Sequence, residues 1–333
     1  MILAAITTHK RPPEMVERAL KSVIAQTYTD WNLVVVDDSP ADWELRGDVR
    51  KMVEGYAEKD SRIRYVAHER NYGAQRARNT ALGIAVNEGF EFIAYLDDDD
   101  EWLPEKLEKQ LEVFMGRGKD TALVYSGSYI TDDSSGRTAF VKPYVSKNGN
   151  VYHELMQDNF IGSTSFPLIR TECLAEIGGF DEEFEAAQDY DVWLRLAERF
   201  DVAYADAPLM IYHQHKNENI HGSMAKRLRA KKVFMEKYRS TIEKDKNLFW
   251  LNLLELAKLY SYNSRYMESI KTWLHAVSVY PFRIGGNLRA LMSMILPTDL
   301  YARMRYNFLL SHPGLFERLR RIKIKIFGEV VKQ

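Results

Sequence analysis

The stretch Phe90-Glu91-Phe92-Ile93-Ala94-Tyr95-Leu96-Asp97-Asp98-Asp99-Asp100 decides the reading of this chain. The apolar run from Phe90 to Leu96 predicts a buried strand. Four adjacent carboxylates end it. They repel one another by several kcal/mol in total unless a cation or solvent screens them, and the end of a buried strand tolerates that repulsion badly. A hard divalent cation, Mn2+ or Mg2+, relieves it, because carboxylate oxygens suit such ions and phosphate oxygens fill the remaining positions. The plainer alternative is a solvated acidic loop that caps the helix following Pro104.

Upstream, strand and helix signals alternate. Ile2 to Thr7, Trp31 to Val36 and Arg62 to Ala67 predict strands. Pro12 and Pro13 open a helix in which Met15, Ala19, Leu20 and Val23 share one face. Asn71-Tyr72-Gly73 is a turn, and Ala74 to Val86 a small-residue helix. This alternation predicts an α/β fold, a sheet sandwiched by helices, with ligands at the carboxyl ends of the strands. Both acidic clusters, Asp37-Asp38 and Asp97 to Asp100, fall there. Downstream, Leu123 to Ile130 predicts a strand, Asp132 to Gly136 a turn and Asp189 to Phe200 a helix. After about Met224 strand signals vanish. Leu248 to Tyr260 and Met267 to Tyr280 resemble one tetratricopeptide-like hairpin, a helical appendage rather than a solenoid. The tail, Leu315 to Lys332, mixes apolar residues with Arg318, Arg320, Arg321, Lys323 and Lys325, a pattern suited to an anionic membrane surface or to a solvated helix.

Composition narrows the class. With 333 residues, 46% of them hydrophobic and 28% charged, the chain is long enough for a substantial core. A net charge of -1 argues against a nucleic-acid partner. The single cysteine, Cys173, excludes an internal disulfide framework and reads as a small core residue. No stretch approaches the ~20 apolar residues of a membrane span, and the amino terminus lacks a signal-peptide pattern, so a cytoplasmic location is expected.

Three further motifs carry chemistry. Asp37, at a strand end, is placed to accept a uracil imide N–H or pair with a ribose hydroxyl; the alternative is a turn or capping aspartate. Asn71-Tyr72-Gly73-Ala74-Gln75-Arg76-Ala77-Arg78-Asn79 joins a glycine turn to a helix N-terminus and two arginines, which suits a diphosphate; the alternative is a simple turn. In Gln188-Asp189-Tyr190-Asp191-Val192-Trp193, the apolar residues predict a core-facing helix that leaves Asp189 near its N-terminus, pointing into a cleft or capping the helix.

Together these motifs resemble the GT-A glycosyltransferases of family 2 over residues 1 to 222. The resemblance implies a GT-A Rossmann-like mixed sheet flanked by helices, with a nucleotide-binding half (1–100) and an acceptor half (101–222), followed by an all-helical C-terminal region (223–333). It implies inverting transfer of a sugar from a nucleotide diphosphate, with UDP favoured, to a hydroxyl of a glycan or lipid-linked glycan in polysaccharide assembly. The enzyme would be cytoplasmic or peripheral on the inner membrane face. Asp37 becomes the base-reading residue, Asp97 the ribose contact, and Arg78 a neighbour of the diphosphate. Thr7, Asp38, Asn71, Gly73 and Asp98 complete the expected nucleotide-binding set. Asp99, in the family's Asp-x-Asp motif, and His215 hold the Mn2+ or Mg2+. Asp189 is the catalytic base. Departures from the family pattern are His9 where Tyr is usual, His213 where Arg is usual, and Gln188 where a Glu precedes the base. The competing reading is a nucleotide-binding or scaffold protein on the same fold.

Overall fold

A computed structural model describes residues 1–132, 137–141, 146–184, 186–214 and 220–295. Residues 133–136 of the expected turn, His215 and the whole of the expected basic tail lie outside them. The chain divides into two compact units, Met1–Lys226 and a second beginning at Arg227.

The first unit opens with β1 (Ile2–Thr8), α1 (Pro13–Ile24), β2 (Trp31–Asp37), α2 (Arg46–Ala57), β3 (Ile63–Ala67), α3 (Ala74–Asn87) and β4 (Phe92–Asp97). These strands are parallel, in the order β3-β2-β1-β4. Their apolar runs are continuous because both faces are covered. Ile2, Ala4 and Ile6 pack with Val16, Leu20 and Val23 of α1 and Val49 and Val53 of α2. On the opposite face α3 lies close to β1, β2 and β4. Its buried alanines, Ala77, Ala81 and Ala85, permit that approach.

The strand order reverses direction beside β1, which opens a crevice at the carboxyl ends. Register then decides which residues meet there: Thr8 stands opposite Asp37, and Thr7 opposite Asp97.

The remainder of the unit is β5 (Glu101–Trp102), α4 (Lys106–Met115), β6 (Thr121–Asp132), β7 (Arg137–Val141), α5 (Tyr152–Gln157), β8 (Leu168–Arg170), α6 (Thr171–Glu176), α7 (Gln188–Arg199) and β9 (Asp201–Gln214). Antiparallel β8 joins β4 to β6, making one mixed nine-stranded sheet among the described residues. The second unit continues with α8 (Ile220–Lys237), which begins within the first, then α9 (Arg239–Lys244), α10 (Lys246–Tyr262), α11 (Tyr266–Val279) and α12 (Ile284–Ile295). Asp245 caps α10 by accepting the N–H groups of Asn247 and Leu248.

One clamp fixes the loop that precedes α7. Asn79 of α3 donates to the carbonyl of Phe180 and accepts its N–H, each at 2.8 Å. Gly179 sits at φ +70°, and a Cβ there would stand 2.6 Å from Asn79 Oδ1. Gly179→Ala is therefore expected to destabilise the protein by roughly 1–3 kcal/mol, read as a lower denaturation midpoint with an unchanged m value.

Candidate active site

Four carboxylates crowd the end of β4, and the fold deals with them in different ways. Asp97 Oδ1 accepts Arg78 Nη2 at 2.7 Å and the Thr164 hydroxyl at 3.0 Å. Arg11 bridges the next two, with Nε 3.1 Å from Asp98 Oδ1 and Nη2 2.9 Å from Asp99 Oδ2. Arg18 donates to the Asp99 carbonyl at 2.6 Å. Asp100 is buried; Oδ1 accepts the His213 N–H at 3.3 Å, and Oδ2 has no hydrogen-bond donor. Burial pushes Asp100 well above the usual carboxylate range, and the charge of Asp97 adds to the shift. Burial also pushes Asp98 up to about 7, against the opposing pull of Arg11.

Backbone geometry aims Arg11. Lys10 adopts φ +52°, in the left-handed region that non-glycine residues rarely enter. Its N–H donates to Ser39 Oγ at 2.9 Å, which ties the loop after β1 to the end of β2. Pro12 and Pro13 then restrict the backbone on the other side of Arg11.

The second acidic pair organises the pocket wall. Asp37 is completely buried, and its oxygens accept the Ser39 N–H at 2.8 Å and the Tyr65 hydroxyl at 2.7 Å. The carboxylate expected to read a base is thus already engaged by protein donors. Asp38 accepts the N–H groups of Tyr72 and Gly73, each at 2.8 Å, and lies 2.7 Å from His68 Nδ1. Gly73, at φ +96°, also donates within its own turn, its N–H lying 2.9 Å from Asn71 Oδ1. In this structure the Tyr72 and Gly73 N–H groups are held by Asp38, and Asn71 and Gly73 shape the turn.

Arg78 is different. It is 6% exposed, and only Nη2 has a hydrogen-bond partner; Nε and Nη1 are buried without one. Asp189, in the first turn of α7, accepts the Tyr190 N–H at 2.7 Å. Ala187, at φ +59°, turns the chain into that helix. Desolvation pushes Asp189 up to about 6; the Tyr190 N–H and the Arg78 charge pull it down, and Asp97 pushes it up. Arg78, Asp97 and Asp189 therefore share one electrostatic neighbourhood.

Asp191 is fully buried and bonds Arg195 Nε at 2.8 Å. Arg195 in turn donates to the carbonyls of Ile177 and Gly179 at 2.7 and 2.6 Å. Asp191 thus anchors the loop, whereas Asp189 lies within the electrostatic reach of Arg78 and Asp97.

Sequence reasoning named neither Arg11 as a partner of the aspartates nor Thr164, Ser165 and His68. Ser165 Oγ accepts the Asp97 N–H at 3.0 Å. Arg11 carried a signal, an arginine between a strand end and two prolines; the Thr164-Ser165 pair carried none. His213 Nε2 lies 2.8 Å from Glu101 Oε1.

Residues 4–178 match the family model described as glycosyl transferase family 2. The chain belongs to that family. It is 28% identical over 277 residues to the putative colanic acid biosynthesis glycosyl transferase WcaA of Escherichia coli K12, covering 81% of this chain and 90% of WcaA. It is 32% identical over 181 residues to UDP-Glc:alpha-D-GlcNAc-diphosphoundecaprenol beta-1,3-glucosyltransferase WfgD of Escherichia coli, covering 54% of this chain and 64% of WfgD. It likewise spans 64% of the uncharacterized glycosyltransferase MJ1057 of Methanocaldococcus jannaschii, at 28% identity over 59% of this chain. Staphylococcus aureus TarS 1-349 in complex with UDP-GlcNAc superposes with a TM-score of 0.54 at 16% identity, covering 86% of this chain and 92% of that one. The protein is a family 2 glycosyltransferase with a GT-A type mixed α/β fold.

Burial of Asp98 gives a stability prediction. Its folded pKa lies above the unfolded value of about 3.9, so the folded state holds the extra proton between the two. The contribution of Asp98 to stability should therefore be full below about pH 4 and fall as pH rises toward about 7. Asp98→Asn is expected to flatten this slope and raise the thermal midpoint of metal-free protein at pH 7.5, measured by calorimetry across pH 5–8.

Proposed function

We propose that this enzyme transfers a sugar, with inversion, from a UDP-sugar to a hydroxyl of a lipid-linked glycan during polysaccharide assembly. The observation that carries the reading is Arg78, a buried guanidinium with two unpartnered nitrogens beside Asp97 and Asp189. A diphosphate supplies the oxygens those nitrogens lack. The names of WfgD and of the TarS complex, which state a UDP-sugar, support the choice of nucleotide, and WfgD's acceptor supports the lipid-linked class.

In this reading the nucleotide lies along the carboxyl ends of β1, β2 and β4, between Thr7, the Asp37-Asp38 segment, the Asn71–Gly73 turn and Asp97. Asp98, buried and paired with Arg11, lies at the same end of the sheet. Residues 1–222 form the catalytic part and 223–333 a helical appendage.

Asp97 and Asp99 offer hard oxygen donors, which fit Mn2+ or Mg2+. Among the described residues no three His, Cys, Asp or Glu side chains converge on one point; in this reading nucleotide oxygens and His215, which lies outside the described residues, would complete the set. The Pyrobaculum calidifontis mannosyltransferase PcManGT, whose structure contains GDP-Man and Mn2+, shares the fold with a TM-score of 0.50 at 14% identity. When bound, the ion neutralises charge on the diphosphate. Asp99 Oδ2, paired with Arg11 in this structure, would be shared between that guanidinium and the ion.

Asp189 removes the proton from the acceptor hydroxyl as its oxygen attacks the anomeric carbon. The bond from that carbon to the diphosphate oxygen breaks, and the departing charge is met by Arg78. A single displacement inverts the anomeric centre. Transfer is placed at the cytoplasmic membrane face. No helix among the described residues is long and apolar enough to cross a membrane.

Asp189→Asn keeps the size of the side chain and removes its basicity. Turnover should fall by about 100-fold or more, with UDP affinity near normal by calorimetric titration. In the wild type, kcat/KM should decline below about pH 6, where Asp189 gains its proton. Near-normal turnover of Asp189→Asn overturns the assignment. Asp99→Ala and excess EDTA should each abolish transfer; full activity in EDTA refutes the metal requirement.

A further inference from the structure

Helices α11 and α12 fully bury only small or polar residues and leave a set of large apolar side chains exposed. On α11 the buried residues are Ser269 and Ala276; on α12 they are Asn287, Ala290 and Ser293. Trp273 and Val279 pack partly against the core, while Met267, Ile270, Leu274, Ile284, Leu288, Met292 and Ile295 are exposed. On α11, Met267, Ile270 and Leu274 fall within one stripe at helical spacing, 66%, 48% and 53% exposed. On α12, Ile284, Leu288 and Ile295 do the same at 63%, 52% and 70%. Phe282, between the helices, is 92% exposed. Nine of the fourteen large apolar side chains exposed among the described residues lie in this segment of thirty residues, 266–295. Scattered exposed apolar residues are ordinary; a concentration of this kind marks an interaction surface.

The inner faces are already settled, so the outer stripes are not a displaced core. Asn287 accepts Trp250 Nε1 through its side chain at 2.8 Å and Trp273 Nε1 through its carbonyl at 3.0 Å. Its own amide donates to the Tyr280 carbonyl at 3.0 Å. Trp250, Leu253, Leu254, Ala276 and Ala290 form a compact core beneath.

Charge selects the partner. From 265 to 295 the charged residues are Arg265, Glu268, Lys271, Arg283 and Arg289. Arg265 and Glu268 pair with each other. Lys271, Arg283 and Arg289 remain as an exposed positive excess around the apolar stripes. Apolar side chains at interfacial depth with basic residues beside them match a bilayer carrying anionic headgroups. We propose that the α11–α12 hairpin is an interfacial anchor that seats the protein on an anionic lipid surface. This names the partner of the peripheral location in the functional reading above, but it stands on the surface of the hairpin rather than on the identity of the acceptor.

The test is co-sedimentation of the full chain, without donor or acceptor, with vesicles of mixed phosphatidylglycerol and phosphatidylcholine and with vesicles of phosphatidylcholine alone. The wild type should bind the mixed vesicles and leave the neutral ones largely unbound. The double substitution Ile270→Glu and Leu288→Glu alters exposed positions only, so its thermal midpoint should hold while vesicle partitioning falls at least tenfold. Each of Lys271→Glu, Arg283→Glu and Arg289→Glu should weaken binding by about fivefold or more, the worth of at least one basic contact. The proposal is overturned if wild type ignores anionic vesicles, if the double variant binds as well as wild type, or if the substitutions only dissociate an oligomer in light scattering while vesicle binding persists. Transfer to a water-soluble acceptor is scored in parallel. Loss of vesicle binding with transfer intact removes the anchor alone; the reverse result removes the catalytic reading alone.

Discussion

Four carboxylates at the mouth of one buried strand are the constraint around which the catalytic unit is organised. Unscreened, neighbouring charges at such spacing repel by about 4 kcal/mol per close pair near a protein surface. Each is handled by a different part of the chain. Helix α3 brings Arg78 to Asp97. The loop after β1, turned by a left-handed Lys10, brings Arg11 to Asp98 and Asp99. Strand β9 lends the His213 N–H to Asp100, whose buried second oxygen favours the protonated acid. The β1-β2 and β1-β4 registers bring these suppliers to one end of the sheet.

This arrangement is balanced but incomplete, and the imbalance points to function. Arg78 keeps two buried nitrogens without acceptors, while Asp97 and Asp99 present oxygens to the same end of the sheet. An incoming ligand with both negative oxygens and an associated cation completes both halves at once. A nucleoside diphosphate with a divalent ion has that composition. The loop carrying Asp189 is fixed independently, by the Asn79–Phe180 pair and by Asp191–Arg195. Under the proposed mechanism the base would thereby be placed by elements separate from the acidic turn that Arg11 holds.

The parallel half of the fold was legible because its strands are continuous apolar runs ending at charged or turn residues. The mixed half was less so. Strand β8 has three residues and β5 has two, too few for any periodicity to register. Strand β9 is long, yet it contains Asp206 and Pro208, and its pairing with β6 shifts register around Gly127, opposite Pro208. That irregularity erases the alternation by which a strand is read. In the site, Asp97, Asp99, Arg78 and Asp189 stood in recognisable motifs. What those motifs concealed was their internal use: Asp37 and Asp38 bind their own backbone neighbours first. Thr164 and Ser165 reach Asp97 from nearly seventy positions away in sequence, at 67 and 68 residues, a proximity that local pattern cannot encode.

Arg78 is the proposed seat of the diphosphate, and calorimetric titration of Arg78→Met with UDP and with uridine tests that role most directly. Methionine keeps much of the length and apolar bulk beside Phe180 while removing the guanidinium. With Mg2+ present, UDP affinity should fall at least tenfold and uridine affinity should stay within about twofold, because only the diphosphate meets the missing charge. Equal losses for both ligands, or unchanged binding of UDP, would contradict the account.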